Sequence, residues 1–219
     1  MNTACNKYCL WAIALMLFAV PGCRKAEPFR GPLALQSRRV VLSAQTGLTP
    51  VTVYSNTTWK VHLTPKVSWA GLDRLEGENT SGVYFSYAAN YNLARKVALA
   101  FEAGGVRDTV WMIQKGSLAN PSISLSPQTI TLGAGETSGS AAVSTNLKAD
   151  WADVKWMVDY TEGGADWISA VHLTETLLEF SLLPNTGSEG RKAVITVIHT
   201  DAEDSVLKAS LQITQNPAQ

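Results

Sequence analysis

The sequence predicts an all-β protein built from two tandem β-sandwich domains. Three observations support this prediction. Apolar and polar side chains alternate at period two along many short segments, which is the pattern of half-buried strands. Asn, Gly and Pro separate these segments, as expected of turns between strands. The pattern also occurs twice, since residues 85–90 match 180–185 and an Arg-Lys pair follows each copy, at Arg95 and at Arg191. Matches that recur in the same order indicate an internal repeat.

The length and composition agree with two folded domains. The chain has 219 residues, of which 46% are hydrophobic and 16% charged, a composition typical of folded rather than disordered protein. Each repeat is about 85 to 95 residues long, the size of a small sandwich domain. The formal net charge is zero, with 18 basic and 18 acidic residues and no basic stripe. We therefore expect no nucleic-acid partner.

The N-terminal segment predicts a secretory signal peptide over residues 1–22. Lys7 precedes the unbroken apolar run from Leu10 to Val20, which is shorter than the about 20 residues that a membrane-spanning helix needs. This fits the apolar region of a signal peptide. The run ends at Val-Pro-Gly-Cys, closing on Cys23, which resembles the lipobox of bacterial lipoproteins. That resemblance implies cleavage before Cys23 and acylation of it; the alternative is an ordinary secretory signal with an incidental cysteine.

The cysteine count favours the lipoprotein interpretation. The other two cysteines, Cys5 and Cys9, lie inside the predicted signal peptide. After cleavage Cys23 would be the lone thiol, so no intramolecular disulfide could form. Residues 23–32 are predicted to be a tether, because Pro and Gly in it discourage regular structure.

The two sandwiches are predicted over residues 33–116 and 122–217, with a linker over 117–121. The predicted strands of the first domain lie near 33–35, 39–43, 50–55, 58–63, 82–88, 94–102 and 107–114. Those of the second lie near 122–125, 128–132, 139–145, 153–160, 177–183, 191–199 and 206–214. No segment has a sustained helical stripe of apolar residues.

The second domain resembles the BACON domain, an immunoglobulin-like β-sandwich module of cell-surface proteins in Bacteroidetes. The residues that carry the resemblance are Ile-Ser-Leu-Ser-Pro (123–127), Trp156, Ala-Asp-Trp-Ile (165–168), Asn185, Arg-Lys-Ala-Val-Ile (191–195) and Ile-Thr-Gln-Asn-Pro (213–217). The first domain is more diverged, with Gln36-Ser37 in place of the early Ser-Pro. The resemblance implies two immunoglobulin-like sandwiches and binding of carbohydrate or mucin-type glycan. The alternative is a spacer or adhesive protein that contacts other proteins without a glycan.

The sequence predicts no enzyme, no cofactor and no metal site. The three histidines, His62, His172 and His199, have no Cys, His or carboxylate at zinc-site spacing. Neither a Gly-x-Ser-x-Gly elbow nor a phosphate-binding loop occurs. The acidic clusters are interpreted as solvated turns, with calcium binding as the alternative; they are 76–78, 150–153 and 201–204.

The repeat also predicts which side chains form the core. Positions that are apolar in both copies should face inward, because alternation along a strand is fixed by register. The predicted structural core pairs are Trp59 with Trp156, Trp69 with Trp167, and Phe85 with Phe180. A buried Trp commonly anchors such sandwiches, although a sugar platform is the alternative role for each Trp pair.

Aromatic or apolar residues whose repeat counterpart is polar should face outward. Tyr54 matches Ser144, Tyr84 matches Glu179, Trp111 matches Gln212, and Ile113 matches Thr214. Tyr91, in a turn, and Trp151, in a segment longer than its counterpart, complete the set of candidate contact residues. Exposed aromatic rings can stack on the apolar faces of sugars. The alternative is that these side chains pack against the other domain.

Together these features predict a lipoprotein of the outer membrane that faces the cell exterior. Its partners would be the membrane, through a lipid on Cys23, and a glycan or mucin. Other surface proteins are the partners that the spacer alternative implies.

Overall fold

The computed structural model of the protein describes residues 28–219, which fold into two β-sandwiches of two sheets each. The predicted signal peptide and the predicted lipid site at Cys23 lie outside the described residues. Among the residues described, no helix has the length and apolar character needed to cross a membrane.

The first domain contains the strands β1 to β9. Their bounds are β1 Ala34–Leu35, β2 Arg39–Leu42, β3 Gly47–Tyr54, β4 Thr58–Thr64, β5 Ala70–Leu72, β6 Glu76–Glu78, β7 Ser81–Tyr87, β8 Arg95–Ala103 and β9 Val106–Gln114. One sheet has the order β1-β3-β7-β5 and the other the order β2-β9-β8-β4-β6. All neighbouring strands are antiparallel except β2 and β9, which are parallel.

The second domain repeats this plan with one strand fewer. Its strands are β10 Ile123–Ser126, β11 Thr129–Leu132, β12 Ser138–Thr145, β13 Lys155–Glu162, β14 Ile168–Leu173, β15 Leu177–Leu182, β16 Arg191–Thr200 and β17 Val206–Gln215. The sheets have the orders β10-β12-β15-β14 and β11-β17-β16-β13. A short 3-10 helix, Lys148–Asp153, precedes β13.

Every strand predicted from the sequence is present, but β5, β6 and β14 were not predicted. All three lie at the edge of a sheet. The first two span three residues each, too few for a period-two pattern to show. Edge strands of this kind form because a neighbour offers its backbone hydrogen bonds, which is a tertiary effect that local sequence does not encode.

Most of the predicted core aromatics are buried between the sheets. Trp59 and Phe85 are fully buried in the first domain, and Trp167 and Phe180 are buried in the second. Trp69 is half-buried and contacts the first core, where its ring meets that of Phe85 edge-on with centroids 6.3 Å apart.

A buried polar group closes one end of the first sandwich. Gln114 is fully buried at the end of β9, and its side-chain oxygen accepts a hydrogen bond from Arg95 Nε at 2.9 Å. The Gln114 amide donates to the carbonyl oxygen of Ala88 at 2.9 Å. The guanidinium carbon of Arg95 lies 4.1 Å from the centre of the Trp69 ring. Burial lowers the pKa of Arg95, and the charge of Asp150 opposes that shift.

The second sandwich has the same polar group in the same place. Arg191 Nε donates to the side-chain oxygen of the fully buried Gln215 at 2.8 Å. The Gln215 amide donates to the carbonyl oxygens of Ala134 at 3.1 Å and Glu136 at 3.0 Å. Arg191 also donates to the carbonyl of Leu183, and its guanidinium carbon lies 4.6 Å from the centre of an indole ring, that of Trp167. Burial lowers the pKa of Arg191.

A buried asparagine completes each of these groups. In the first domain the Asn90 amide donates to the carbonyl oxygens of Leu93 at 2.6 Å and Lys115 at 3.2 Å. In the second domain the Asn185 amide donates to Glu189 O at 2.8 Å and Asn216 O at 2.9 Å. In both domains the asparagine therefore joins the turn before the arginine to the residue that follows the last strand.

The two domains contact each other directly. Leu93, in the turn before β8, is buried with the core residues of the second domain. Its backbone N–H donates to Asp150 Oδ2 at 2.9 Å. A backbone hydrogen bond of 3.2 Å from Ala202 N–H to Ala94 O lies beside it. At the domain junction, the Leu93 side chain is thus buried in the second domain, and hydrogen bonds between the two domains lie beside it.

The prediction that Trp156 belongs to the core is wrong, because 43% of its surface is exposed. The register explains this. Trp156 pairs with Val197 on β16, six residues after Arg191, whereas Trp59 pairs with Ala103 on β8, eight residues after Arg95. Trp156 therefore occupies the place of Val61 in the first domain, two residues along the strand from the place of Trp59. A displacement of two residues keeps the side chain on the inward face of the sheet but gives it different neighbours.

The neighbouring strand accounts for the rest of the difference. In the first domain β6 pairs with β4 and places Gly77 opposite Trp59, where a side chain on Gly77 would overlap the indole. The Trp59 indole N–H donates to Asn79 O at 3.1 Å just beyond that strand. In the second domain no described strand pairs with the outer edge of β13, so Trp156 faces inward at an open edge.

We expect the two tryptophans of the second domain to respond differently to truncation. Replacing the buried Trp167 by Ala should lower the free energy of unfolding by about 3 to 5 kcal/mol. The matched change Trp156→Ala should cost about 1 kcal/mol or less, because much of that ring is already in water. Urea denaturation of the fragment 24–219, which contains every described residue, measures both. Equal losses for the two variants would contradict the burial difference.

Candidate binding surfaces

Trp111 is the exposed tryptophan of the first domain, where Tyr84 and Tyr91 are also exposed. It lies on β9 with 44% of its surface exposed and faces away from the core, whereas its neighbour Met112 is fully buried. Its partners in register are Arg39 on β2 and Ala98 on β8. Ala98 is buried although it faces outward, and it lies in register between Trp111 on β9 and Thr64 on β4. The Nζ of Lys96 lies 5.6 Å from the centre of the Trp111 ring.

Small and polar side chains continue this face of the sheet. Thr109 precedes Trp111 by two residues on the same face, about 7 Å away along the strand. Thr109 pairs with Ala100, which in turn pairs with His62 on β4. We call this outward face of the five-stranded sheet, centred on Trp111, the Trp111 face. It offers one aromatic ring with hydrogen-bonding groups around it.

The prediction that Ile113 is exposed is wrong, because only 5% of its surface is accessible. Ile113 does face outward, in register between Val41 on β2 and Lys96 on β8. Side chains on both neighbouring strands can therefore cover it. Its polar counterpart Thr214 is itself half-buried. Comparison of the two repeats predicted correctly that Ile113 is on the outward face of the sheet. It did not predict that side chains of the neighbouring strands cover Ile113.

Tyr54 on β3 and Tyr84 on β7 lie on the other sheet, but they do not share surroundings. Tyr84 is exposed opposite Pro50, four residues from Tyr54 along β3, or about 13 Å. The Tyr84 N–H donates to Asp73 Oδ1 at 2.7 Å, which lowers the pKa of that carboxyl. Tyr54 is half-buried, and its ring centre lies 6.1 Å from that of Phe29.

The remaining two candidates differ in exposure. Tyr91 is highly exposed in the turn between β7 and β8. Trp151, in the short 3-10 helix, is half-buried and packs against the core of the second domain. Trp151 therefore offers only part of its surface to a ligand, and it lies on a different domain from the other candidates.

A cleft at the domain junction was not predicted from the sequence. It has a volume of about 260 Å³, and its lining includes Arg95, Asp150, Asp153, His199 and Asp201. His199 is only 4% exposed, and its Nδ1 has no hydrogen-bond partner among the described residues. The sequence held one signal for this junction, the apolar Leu93 within a polar turn.

The acidic residues of the described chain do not form a cation site. Asp201 Oδ1 accepts backbone hydrogen bonds from Glu203 at 2.8 Å and Ser205 at 2.9 Å, so this carboxylate stabilises its own turn. Within residues 28–219 no group of three or more His, Cys, Asp or Glu side chains is arranged to hold a metal ion.

A comparison with protein families identifies part of the chain. Residues 157–216, which run from β13 to just after β17, match the BACON family, described as "Putative binding domain, N-terminal". No curated protein sequence matches the chain.

Solved structures that match this chain include two glycoside hydrolases and a protocadherin. A Bacteroides ovatus GH5 xyloglucanase in complex with a XXXG heptasaccharide matches 46% of this chain at 17% identity and a TM-score of 0.36. The chain spans 21% of that enzyme and 30% of an endo-fucoidan hydrolase from glycoside hydrolase family 107. Human mucin-like protocadherin EC1-2 matches 85% of this chain and 98% of its own at 14% identity and a TM-score of 0.35.

A protein from Bacteroides thetaiotaomicron, solved by NMR, matches 43% of this chain and 98% of its own length, with 15% identity and a TM-score of 0.31. At these low scores the structural matches carry no inference about ligand or activity. The family match and the two-sheet architecture together support a BACON-type, immunoglobulin-like domain that includes residues 157–216.

Proposed function

We propose that the protein is a non-enzymatic, lipid-anchored surface protein that binds glycans through the Trp111 face. The observation that carries the proposal is the exposed indole of Trp111 on an open sheet face, beside the small residue Ala98. A core Trp would be covered by the opposite sheet, and this one points away from it. The matched family is described as a binding domain, which agrees with a role in binding.

The chemistry of this face suits a sugar. The C–H face of a pyranose ring packs on an indole, while the hydroxyl groups need hydrogen-bond donors and acceptors nearby. Such groups surround Trp111 on three adjacent strands. Arg39 on β2 lies opposite it, Lys96 on β8 lies diagonal to it, and Thr109 precedes it by two residues on β9. Because the face is open, it suits a chain of sugars better than a single enclosed residue.

We expect the Trp111→Gln variant to lose glycan binding while keeping its stability. Gln is the residue that the second domain has at the matching position, Gln212, so the strand accommodates it. The measurement is a glycan array with the fragment 24–219, followed by titration of any bound glycan. The matched control is Tyr84→Glu, which removes an exposed aromatic from the opposite sheet and should bind as the unchanged protein does. Equal binding by both variants, or loss of folding in Trp111→Gln, would contradict the assignment.

The spacer alternative also has an observation in its favour. Leu93 and Asp150 hold the two domains in one arrangement, which suits a rod that displays another protein or contacts one. A spacer needs no ligand for the Trp111 face. The absence of any binding on an array that includes mucin-type glycans and plant polysaccharides would favour this alternative.

The anchor would keep the first domain close to the membrane. Residues just after the predicted lipid site are bound to that domain, since the Asn56 amide donates to Arg30 O at 2.7 Å and Asn56 N–H to Gly31 O at 3.1 Å. From Cys23 to Pro28 the chain can span at most about 18 Å. The predicted tether is thus shorter than the sequence suggested, because residues 30–32 lie on the domain surface.

We propose an outer-membrane location facing the cell exterior.

We expect the full-length Cys23→Ala variant to leave the membrane fraction, because it lacks the sulfur that would carry the lipid. The measurement is cell fractionation followed by detection of the protein. The matched control is Cys5→Ala, which changes a cysteine inside the predicted signal peptide and should leave the protein with the membrane. A Cys23→Ala protein that stays with the membrane after a high-salt wash would contradict the anchor.

A further inference from the structure

We propose that β13 of the second domain is a self-association edge, at which two copies of this chain pair antiparallel through residues 155–159. The inference concerns a protein–protein contact and does not depend on glycan binding or on the lipid anchor. It rests on a difference between the two domains of the repeat, together with the charge pattern along β13.

The outer edge of β13 is unpartnered and apolar. The strand is the last of its sheet, and among the residues described no strand pairs with its outer side. Two large side chains on opposite faces of this edge remain exposed, Trp156 at 43% and Met157 at 55%. A strand edge with free backbone groups and exposed apolar side chains is a template for strand addition.

The first domain shows what normally covers this edge. There β6 pairs antiparallel with β4, so that Gly77 lies opposite Trp59 and Glu76 lies opposite Lys60. The added strand thus buries an aromatic ring on one face and sets a carboxylate beside a lysine on the other. The second domain has no such strand, because a tight turn joins β14 directly to β15, with Thr174 N–H bonded to Leu177 O at 2.8 Å.

A second copy of β13 supplies a carboxylate beside Lys155, which occupies the place of Lys60, and it also covers Trp156, which occupies the place of Val61. If two copies pair about a twofold axis through Met157, then Lys155 of each lies opposite Asp159 of the other, and Trp156 lies opposite Val158. Lys155, Met157 and Asp159 share the outward face, since they pair with Ile198, Thr196 and Val194 of β16. The pairing therefore gives two cross-strand pairs of opposite charge outside and covers each Trp156 inside.

The register centred on Val158 loses this complementarity. Moving the axis to Val158 places Lys155 opposite Thr161 and Met157 opposite Asp159, so neither charge has an opposite partner. Lys155 and Asp159 are both exposed, and neither forms an ion pair within the described chain. The register of β13 against β16 shifts between Tyr160 and Glu162, which limits regular pairing to the residues before it.

The contact buries little area, so we expect a weak dimer that forms at high protein concentration. The test is sedimentation equilibrium of the fragment 24–219. The protein concentration should reach roughly several hundred micromolar, because an interface of this small size gives weak association. The unchanged fragment should dimerise. Lys155→Glu and Asp159→Lys should each weaken association about tenfold or more, since either change places like charges opposite each other at both ends.

An equimolar mixture of the two variants provides the decisive control. In the mixed dimer the two substituted side chains, an acid at position 155 and a base at position 159, would face each other at one end. At the other end the unchanged Lys155 of one copy would face the unchanged Asp159 of the other, so association should return. The fluorescence of Trp156 should shift to the blue in the unchanged dimer and in the mixture, and Trp156→Ala should remove that shift. Circular dichroism of each variant establishes that it is folded, as expected for changes at exposed positions.

Three results would overturn the proposal. They are a monomeric unchanged fragment at the highest concentration, association that neither charge reversal weakens, and a mixture of variants that stays monomeric. The second result would place self-association elsewhere, such as on the Trp111 face. The proposed glycan binding is measured separately, so failure of this proposal leaves the outcome of the array unaffected.

Discussion

The fold depends on a partly buried hydrogen bond between an arginine and a buried glutamine, which occurs once in each domain. In the second domain Arg191 reaches inward from the start of β16 to Gln215 at the end of β17, and the indole of Trp167 covers its guanidinium. A buried polar side chain is costly unless its hydrogen bonds are satisfied. Here the glutamine amide satisfies carbonyls of the loop that links β11 to β12, and these two strands belong to different sheets, so hydrogen bonds as well as apolar packing hold the connection between the sheets.

In the first domain the same arrangement also positions the second domain. The Asn90 amide holds the turn that contains Leu93, and Ser117 Oγ donates to Asn90 O at 2.8 Å from the start of the linker. This fixes the position from which Leu93 enters the second domain. The domain junction is therefore a consequence of how one sandwich is closed.

The sequence predicted the features that both copies of the repeat constrain. The strands, the burial of Trp59 and Trp167, and the outward direction of Trp111 all follow from alternation and from agreement between the copies. The prediction for Trp156 was wrong because a displacement of two residues keeps the alternation intact while it changes the neighbours. Ile113 was mispredicted because a residue on the outer face of an interior strand can be covered by the side chains of both neighbouring strands. The domain cleft and β6 depend on contacts between segments that are distant in the sequence. The alternation of apolar and polar residues along a strand contains no information about such contacts.

The central claim is that each sandwich is closed by its arginine–glutamine bond, and a double-mutant cycle tests it most directly. The free energy of unfolding of the second domain would be measured in the fragment 24–219 for Arg191→Ala, Gln215→Ala and the double variant. A hydrogen bond with a charged partner contributes about 1.5 to 3 kcal/mol, so the cycle should give a coupling free energy of at least about 1.5 kcal/mol. A coupling below about 0.5 kcal/mol, within the range of additivity for independent sites, would contradict the account.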